Sequence, residues 1–180
     1  ESRMKLSKIN LFSLHVFLGW MLYFNPSIST FLGLGLIVAG YYYIISDPKY
    51  HAMVPIYFSA YIVGFEVLLR MTGSRLFWEF GKYGTIALLI LGLTMENIKQ
   101  HRTSVFIIIY ILALLPSVFL VPFESFNIWR QSISFNLSGP LSLFISFLYF
   151  RNRFMSEKEI KNMFRTIILP LISMSIILVI

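Results

Sequence analysis

Glu66-Val-Leu-Leu-Arg70-Met-Thr-Gly73-Ser-Arg75-Leu-Phe-Trp-Glu79-Phe-Gly-Lys82 sets five charged side chains between two long apolar runs. Apolar stretches of about 20 residues are the length of a membrane-crossing helix. A short charged connection between two of them reads as a hairpin of spans. Within lipid each charge is costly unless it is paired or meets an aqueous cavity, so this island is also where function is sought first.

Working outward, the remaining sequence has the same character. The 180 residues are 57% hydrophobic and 13% charged, with a mean hydropathy of +0.76. Soluble domains carry roughly a quarter charged residues, so one water-facing core cannot hide this apolar surface. The fold class expected is all-α, a polytopic membrane helix bundle. Seven apolar runs are counted, at 9–24, 28–46, 52–70, 77–96, 104–122, 139–150 extended by its flanks, and 165–180. The last is cut short at Ile180, and the chain opens Glu1-Ser2-Arg3 before Met4. Residues 1–180 are therefore expected to form a single transmembrane domain, the N-terminal part of a longer membrane protein.

The basic residues orient the bundle. With the N-terminus cytoplasmic, the inner side holds Arg3, Lys5, Lys8, Lys49, Lys99, Arg102, Arg151, Arg153, Lys158, Lys161 and Arg165, eleven of the fifteen Lys and Arg residues. Cytoplasmic loops carry such an excess. Arg70, Arg75, Lys82 and Arg130 remain outside, few and clustered. The net charge of +7 thus serves topology and anionic lipid, and no nucleic-acid partner is expected. No cysteine is present, which excludes disulfides, thiolate metal sites and a cysteine nucleophile. The histidines His15, His51 and His101 are far apart, so no metal and no cofactor is expected. Glu96 and Asn97 read as ordinary interface residues.

Local signals refine the spans. Ser156-Glu157-Lys158-Glu159 is a capping box, with Met155 placed to staple to Ile160, so a helix starts there and runs into the last span. Pro55, Pro116 and Pro170 fall within apolar runs and predict kinks. Gly35 and Ala39 form a small-xxx-small pair suited to helix contact. His15 reads as a hydrogen-bonded contact between helices.

Two constellations could carry chemistry. Glu66 and Arg70, spaced i,i+4, share a helix face in the favoured order and form a structural ion pair. Gly73 then ends the helix, and Arg75, Glu79 and Lys82 follow among Phe77, Trp78, Phe80 and Tyr83. Structural pairing and an anion site are both open readings of this group. The second constellation is a polar loop holding Glu124, Trp129, Arg130, Gln131, Ser132, Asn136, Ser138, Gly139 and Pro140. A guanidinium binds phosphate through two parallel hydrogen bonds. Asn136, Ser138 and the backbone near Gly139 could donate at the N-terminus of the sixth span, where the helix dipole favours an anion. A cap and turn is the plainer reading of Ser138-Gly139-Pro140. The candidate diphosphate-binding residues are Arg130, Arg75, Lys82, Asn136 and Ser138.

The run Ala60-Tyr-Ile-Val-Gly-Phe-Glu66-Val-Leu-Leu-Arg70-Met-Thr-Gly73, with Glu79-Phe-Gly-Lys82-Tyr83, Arg130 and Ser134-Phe-Asn136-Leu-Ser138-Gly139-Pro140, resembles the O-antigen ligase and polymerase family of Bacteroidetes-type bacteria. The resemblance covers most of the chain. It implies a metal-independent glycosyltransferase, multi-pass in the bacterial inner membrane. Such an enzyme moves glycan from a polyprenyl diphosphate carrier to an acceptor hydroxyl on the periplasmic side. It also implies ten or more spans and a long periplasmic loop bearing further catalytic residues, including a histidine that activates the acceptor. In that resemblance Arg130 matches a diphosphate-contacting basic residue, and the general base lies beyond Ile180. A transporter or flippase using Glu66 and Arg70, and a non-enzymatic membrane subunit, are the alternative readings.

Overall fold

The computed structural model describes residues 8–46, 52–96, 105–116, 120–121, 125–151 and 153–179. Arg3, Lys5, Lys49, His51, Asn97, Lys99, His101, Arg102, Glu124 and Ile180 lie outside the described residues. Among the described residues there are seven helices and no strand. They are α1 (Lys8–Phe24), α2 (Ile28–Ser46), α3 (Val54–Met71), α4 (Phe80–Met95), α5 (Val105–Leu114), α6 (Phe126–Phe150) and α7 (Glu157–Val179). Four of them, α2, α3, α6 and α7, are long and apolar enough to cross a membrane. Large apolar side chains such as Phe31, Val38 and Phe106 stand exposed around the bundle. So much uncovered apolar surface is stable against lipid and not against water. The chain is a helical membrane protein.

α3 is the hub. Ile56 on α3 packs with Ile86 and Leu89 of α4 and Ile145 and Tyr149 of α6. Phe65, Leu68 and Leu69 of α3 bury Leu22 of α1. Ile62 of α3 joins Ile44 of α2 and Leu88 of α4. α7 lies against both α1 and α3, and glycines make that approach possible. A Cβ at Gly64 would fall inside van der Waals distance of the Ile167 carbonyl oxygen, and one at Gly19 would stand 2.6 Å from the Ser173 carbonyl oxygen. Helices in lipid associate through such close backbone contact because no hydrophobic force separates helix from solvent there. The Gly35–Ala39 pair plays no such part: Gly35 faces open space.

Polar links lock α1, α3 and α7 together. Nδ1 of the buried His15 donates to the Leu11 carbonyl at 2.8 Å, which leaves Nε2 to accept from the Tyr61 hydroxyl at 3.0 Å. Ser173 donates to the His15 carbonyl at 2.7 Å. The capping box at the start of α7 forms as the sequence predicts. The Ser156 amide donates to the Glu159 carboxylate at 2.7 Å, and the Glu159 amide to the Ser156 hydroxyl at 3.3 Å.

Two expectations give way to the structure. Pro55 sits in the first turn of α3, where a missing N–H costs nothing, and so it starts the helix and does not kink it. α5 ends at Leu114, and the expected kink at Pro116 runs into residues 117–119, outside the described residues. The larger difference is at 126–138, expected as a polar loop but continuous helix from Phe126. Ser125 caps that helix by accepting from the Ile128 amide at 3.4 Å, and Pro140 lies in its interior.

Candidate functional site

At the end of the bundle where α3 stops and α4 begins, their connection meets α2 and α6. Gly73, at φ +60°, ends α3 in the left-handed conformation that glycine adopts without a Cβ penalty. Its amide reaches the Arg70 carbonyl at 3.2 Å, and the Ser74 amide reaches that of Leu69 at 3.0 Å. These two bonds close the helix C-terminus. The connection to α4 is then pinned onto the first turn of α2. The Arg75 amide donates to the Thr30 hydroxyl at 3.1 Å, and the Ser74 hydroxyl stands 3.1 Å from it.

Arg70 is held on three sides. It forms an ion pair with Glu66, donates to the Trp78 carbonyl at 3.0 Å, and lies 3.6 Å from the centre of the Trp78 ring. Glu66 in turn rests on Gly81, where a Cβ would come within 2.8 Å of its carboxylate. The pair lines a cavity of about 230 Å³ with Gly73, Ser74 and Phe77. Its charges are satisfied locally, and Gly81 is the small residue that lets α4 close over them.

The second helix of the site is α6, and its period of 3.6 residues sorts the polar residues that a loop would have left mixed. Ser134, Ser138, Ile145 and Tyr149 form the stripe facing α4. Ser134 bonds the Tyr83 hydroxyl at 2.9 Å, and the fully buried Ser138 accepts from Lys82 at 3.3 Å. On one side of this seam Arg130, Trp129, Ile133 and Ser134 line an open cavity of about 570 Å³ with Phe77 and Tyr83. On the other, Gln131, Ser132, Phe135 and Asn136 line a second cavity of about 480 Å³ with Trp78 and Glu79. Of these two flanking cavities Phe77 walls the first and Trp78, its neighbour in the chain, the second.

The candidate diphosphate residues are thus distributed. Lys82 and Ser138 meet in the seam. Arg130 is exposed on one flank of it and Asn136 on the other. Arg75 is exposed, and its backbone is tied to α2 and not to α6. Asn136 and Ser138 lie within α6, so neither they nor the backbone at Gly139 can act as free helix N-terminal donors, which is a correction to that expectation. Glu79 precedes α4 without its side chain capping the helix, and it is 5% exposed.

At the opposite end of the bundle Arg153 donates to Glu96 through both terminal nitrogens, one bond being 2.8 Å. It also donates through Nε to the Tyr149 carbonyl at 2.8 Å and lies 3.8 Å from the Tyr149 ring centre. The Tyr149 hydroxyl and Arg153 both reach the Ala52 carbonyl. From the sequence alone Glu96 reads as an ordinary interface residue, and Arg153 counts only among the inner basic residues. Among the described residues no group of three or more acidic or histidine side chains could hold a metal ion.

Fold and crevice together define a helical membrane protein with a charged, aromatic-walled crevice between two of its helices. No known protein family, curated protein or solved structure matches the chain, so its own residues carry the functional reading.

Proposed function

We propose that this chain is a membrane glycosyltransferase of the O-antigen ligase or polymerase type, in the bacterial inner membrane. In this reading the seven apolar runs of the sequence all cross the membrane with the N-terminus cytoplasmic. The α3–α4 end faces the periplasm, where a polyprenyl diphosphate-linked glycan meets the acceptor hydroxyl. The observation that carries the reading is the α4–α6 seam. Lys82 stands in the seam, bonded to Ser138 and 5.9 Å from the centre of the Phe135 ring, and Arg130 is exposed on the flank lined by Phe77 and Tyr83, so α4 and α6 each bring one cation to this end of the bundle. Its mouth is flanked by the exposed aromatics Phe77, Trp78 and Phe135, a setting suited to an amphipathic headgroup.

The chemistry asked of these cations is electrostatic. As the sugar–phosphate bond breaks, negative charge grows on the departing diphosphate. Donors already held in place stabilise that charge without reorganising. Lys82 is held by Ser138, and the half of α6 that carries Arg130 is tied to α4 by the Ser134–Tyr83 and Ser138–Lys82 bonds.

The test is Arg130→Ala in cells that make the glycan. Transfer to the acceptor is expected to be lost while the membrane level of the protein stays unchanged. Transfer at the parental rate rejects the assignment.

A further inference from the structure

The cavity on the far side of the seam from Arg130 has a different chemistry, and the cationic reading does not use it. Its six lining residues are Trp78, Glu79, Gln131, Ser132, Phe135 and Asn136. The geometry points to a sugar-binding subsite, in which this cavity receives a neutral hexose or N-acetylhexosamine ring of the glycan.

Glu79 is the anchor of this inference. It is 5% exposed, and among the described residues its carboxylate has no hydrogen-bond or ion-pair partner. It does not cap α4. The nearest cation in sequence, Lys82, is turned to Ser138 and Phe135 instead. The carboxylate oxygens are not among the fully enclosed atoms that lack a partner, so they open into the cavity, where their lone pairs are free to accept from a ligand that brings O–H or N–H groups. The other linings narrow that ligand. Gln131 and Asn136 each offer an amide donor and an amide acceptor, and Ser132 offers a hydroxyl. Such neutral groups match a polyol, whose hydroxyls both donate and accept. Trp78 and Phe135 supply flat apolar faces, both largely exposed, on which the C–H face of a pyranose ring can lie. A cationic ligand would also suit Glu79 and the aromatics, but Lys82 and Arg130 keep this end of the bundle positive and disfavour it.

α6 explains why the two chemistries stay apart. Residues 131, 132, 135 and 136 fall on one flank of the stripe that packs on α4, and residues 130 and 133 on the other. Trp78 and Phe77 continue the same division on the α4 side. The inference rests on the proposed function only for the linkage of sugar to diphosphate. The cavity binds the ring in its own right.

The experiment titrates glucose, galactose and N-acetylglucosamine separately against the full chain in lipid nanodiscs, read by ligand-observed NMR. Inorganic pyrophosphate is titrated in parallel. At least one sugar is expected to bind saturably, and Glu79→Gln to weaken it about tenfold or more, the scale of a hydrogen bond to a charged group. Phe135→Ala is expected to weaken the same sugar, and Arg130→Ala to leave it unchanged. Pyrophosphate is expected to show the opposite pattern. Among the described residues Glu79 has no hydrogen bond or ion pair to lose, so the unfolding temperature of Glu79→Gln should hold. If that variant unfolds instead, Gln131→Ala, at an exposed position, carries the same comparison. No saturable binding of any of the three sugars, or undiminished binding by the Glu79 and Phe135 variants, overturns the inference. Sugar binding without pyrophosphate binding upholds the subsite and removes the diphosphate reading alone.

Discussion

Arg153 grips Glu96 with both terminal nitrogens of its guanidinium, although 57 residues separate them in the chain. Their side chains are only 9% and 12% exposed. The fork joins the end of α4 to the end of α6, and the shared Ala52 carbonyl brings in the start of α3. Removing one partner of a buried pair strands the other charge, at a cost of about 3–5 kcal/mol. Glu96→Ala is therefore expected to lower stability by that order in denaturant unfolding of the detergent-solubilised chain. Arg153→Lys should recover little, since an ammonium cannot make two parallel bonds to one carboxylate. Wild-type stability in either variant would show that the fork is not closed.

Glycines separate into packed and idle positions, and alanine distinguishes them. Gly64 faces the Ile167 carbonyl too closely for any Cβ, and a backbone atom cannot swing away as a side-chain tip can. Gly64→Ala is expected to push α7 off α3, at the upper end of the about 1–3 kcal/mol typical of overpacking. Gly35 has open space around it, so Gly35→Ala should stabilise α2 by about 0.5–1 kcal/mol through helix propensity alone. Thermal unfolding in detergent reads both. Equal effects at the two positions would contradict the packing of α7.

The buried His15–Tyr61 bond has a predictable, smaller weight. Tyr61→Phe keeps the ring and removes the hydroxyl that Nε2 accepts from at 3.0 Å. In water an unsatisfied buried acceptor would cost about 1–3 kcal/mol. Between membrane helices the measured average is lower, near 0.6 kcal/mol, because the unfolded chain in lipid finds other partners. The expected loss is about 1 kcal/mol. A loss as large as that of Glu96→Ala would mean that the hydroxyl orders more than His15.

How far the fold could be read depended on whether a signal was local. The limits of α1, α2 and α3 follow from apolar runs bounded by turn residues, and Ser156 with Glu159 announces the start of α7 within four residues. The Glu66–Arg70 pair is legible for the same reason, because i,i+4 spacing fixes it before any packing occurs. The stretch 126–138 was not, since Asn136, Ser138, Gly139 and Pro140 have turn propensities that helix packing overrides. Ser138 is fully buried against α4 with its hydroxyl engaged by Lys82. Read as a helix, the same residues divide into two flanks. Read as a loop, they gave one mixed anion site. The Arg153–Glu96 fork and the burial of Glu79 are products of tertiary placement. No spacing rule connects residues that different helices bring together.

Orientation decides whether the crevice can meet a periplasmic glycan, and the absence of cysteine from the chain makes it directly measurable. Phe126 opens α6 at the crevice end, and Phe154 precedes α7 at the opposite end; both are exposed. The excess of Lys and Arg around Phe154, with Arg151, Arg153, Lys158, Lys161 and Arg165 nearby, favours that end in the cytoplasm. A membrane-impermeant maleimide is expected to label Phe126→Cys in spheroplasts with an intact inner membrane. Phe154→Cys should react only after permeabilisation. Phe154 is fully exposed, and among the described residues the Phe126 ring meets only the Trp129 ring on its own helix, so the labelling reports the native arrangement. The reverse pattern would place Arg130 and Lys82 on the cytoplasmic side. A carrier-linked glycan awaiting transfer in the periplasm could not reach them there, and the glycosyltransferase reading would fall with the orientation.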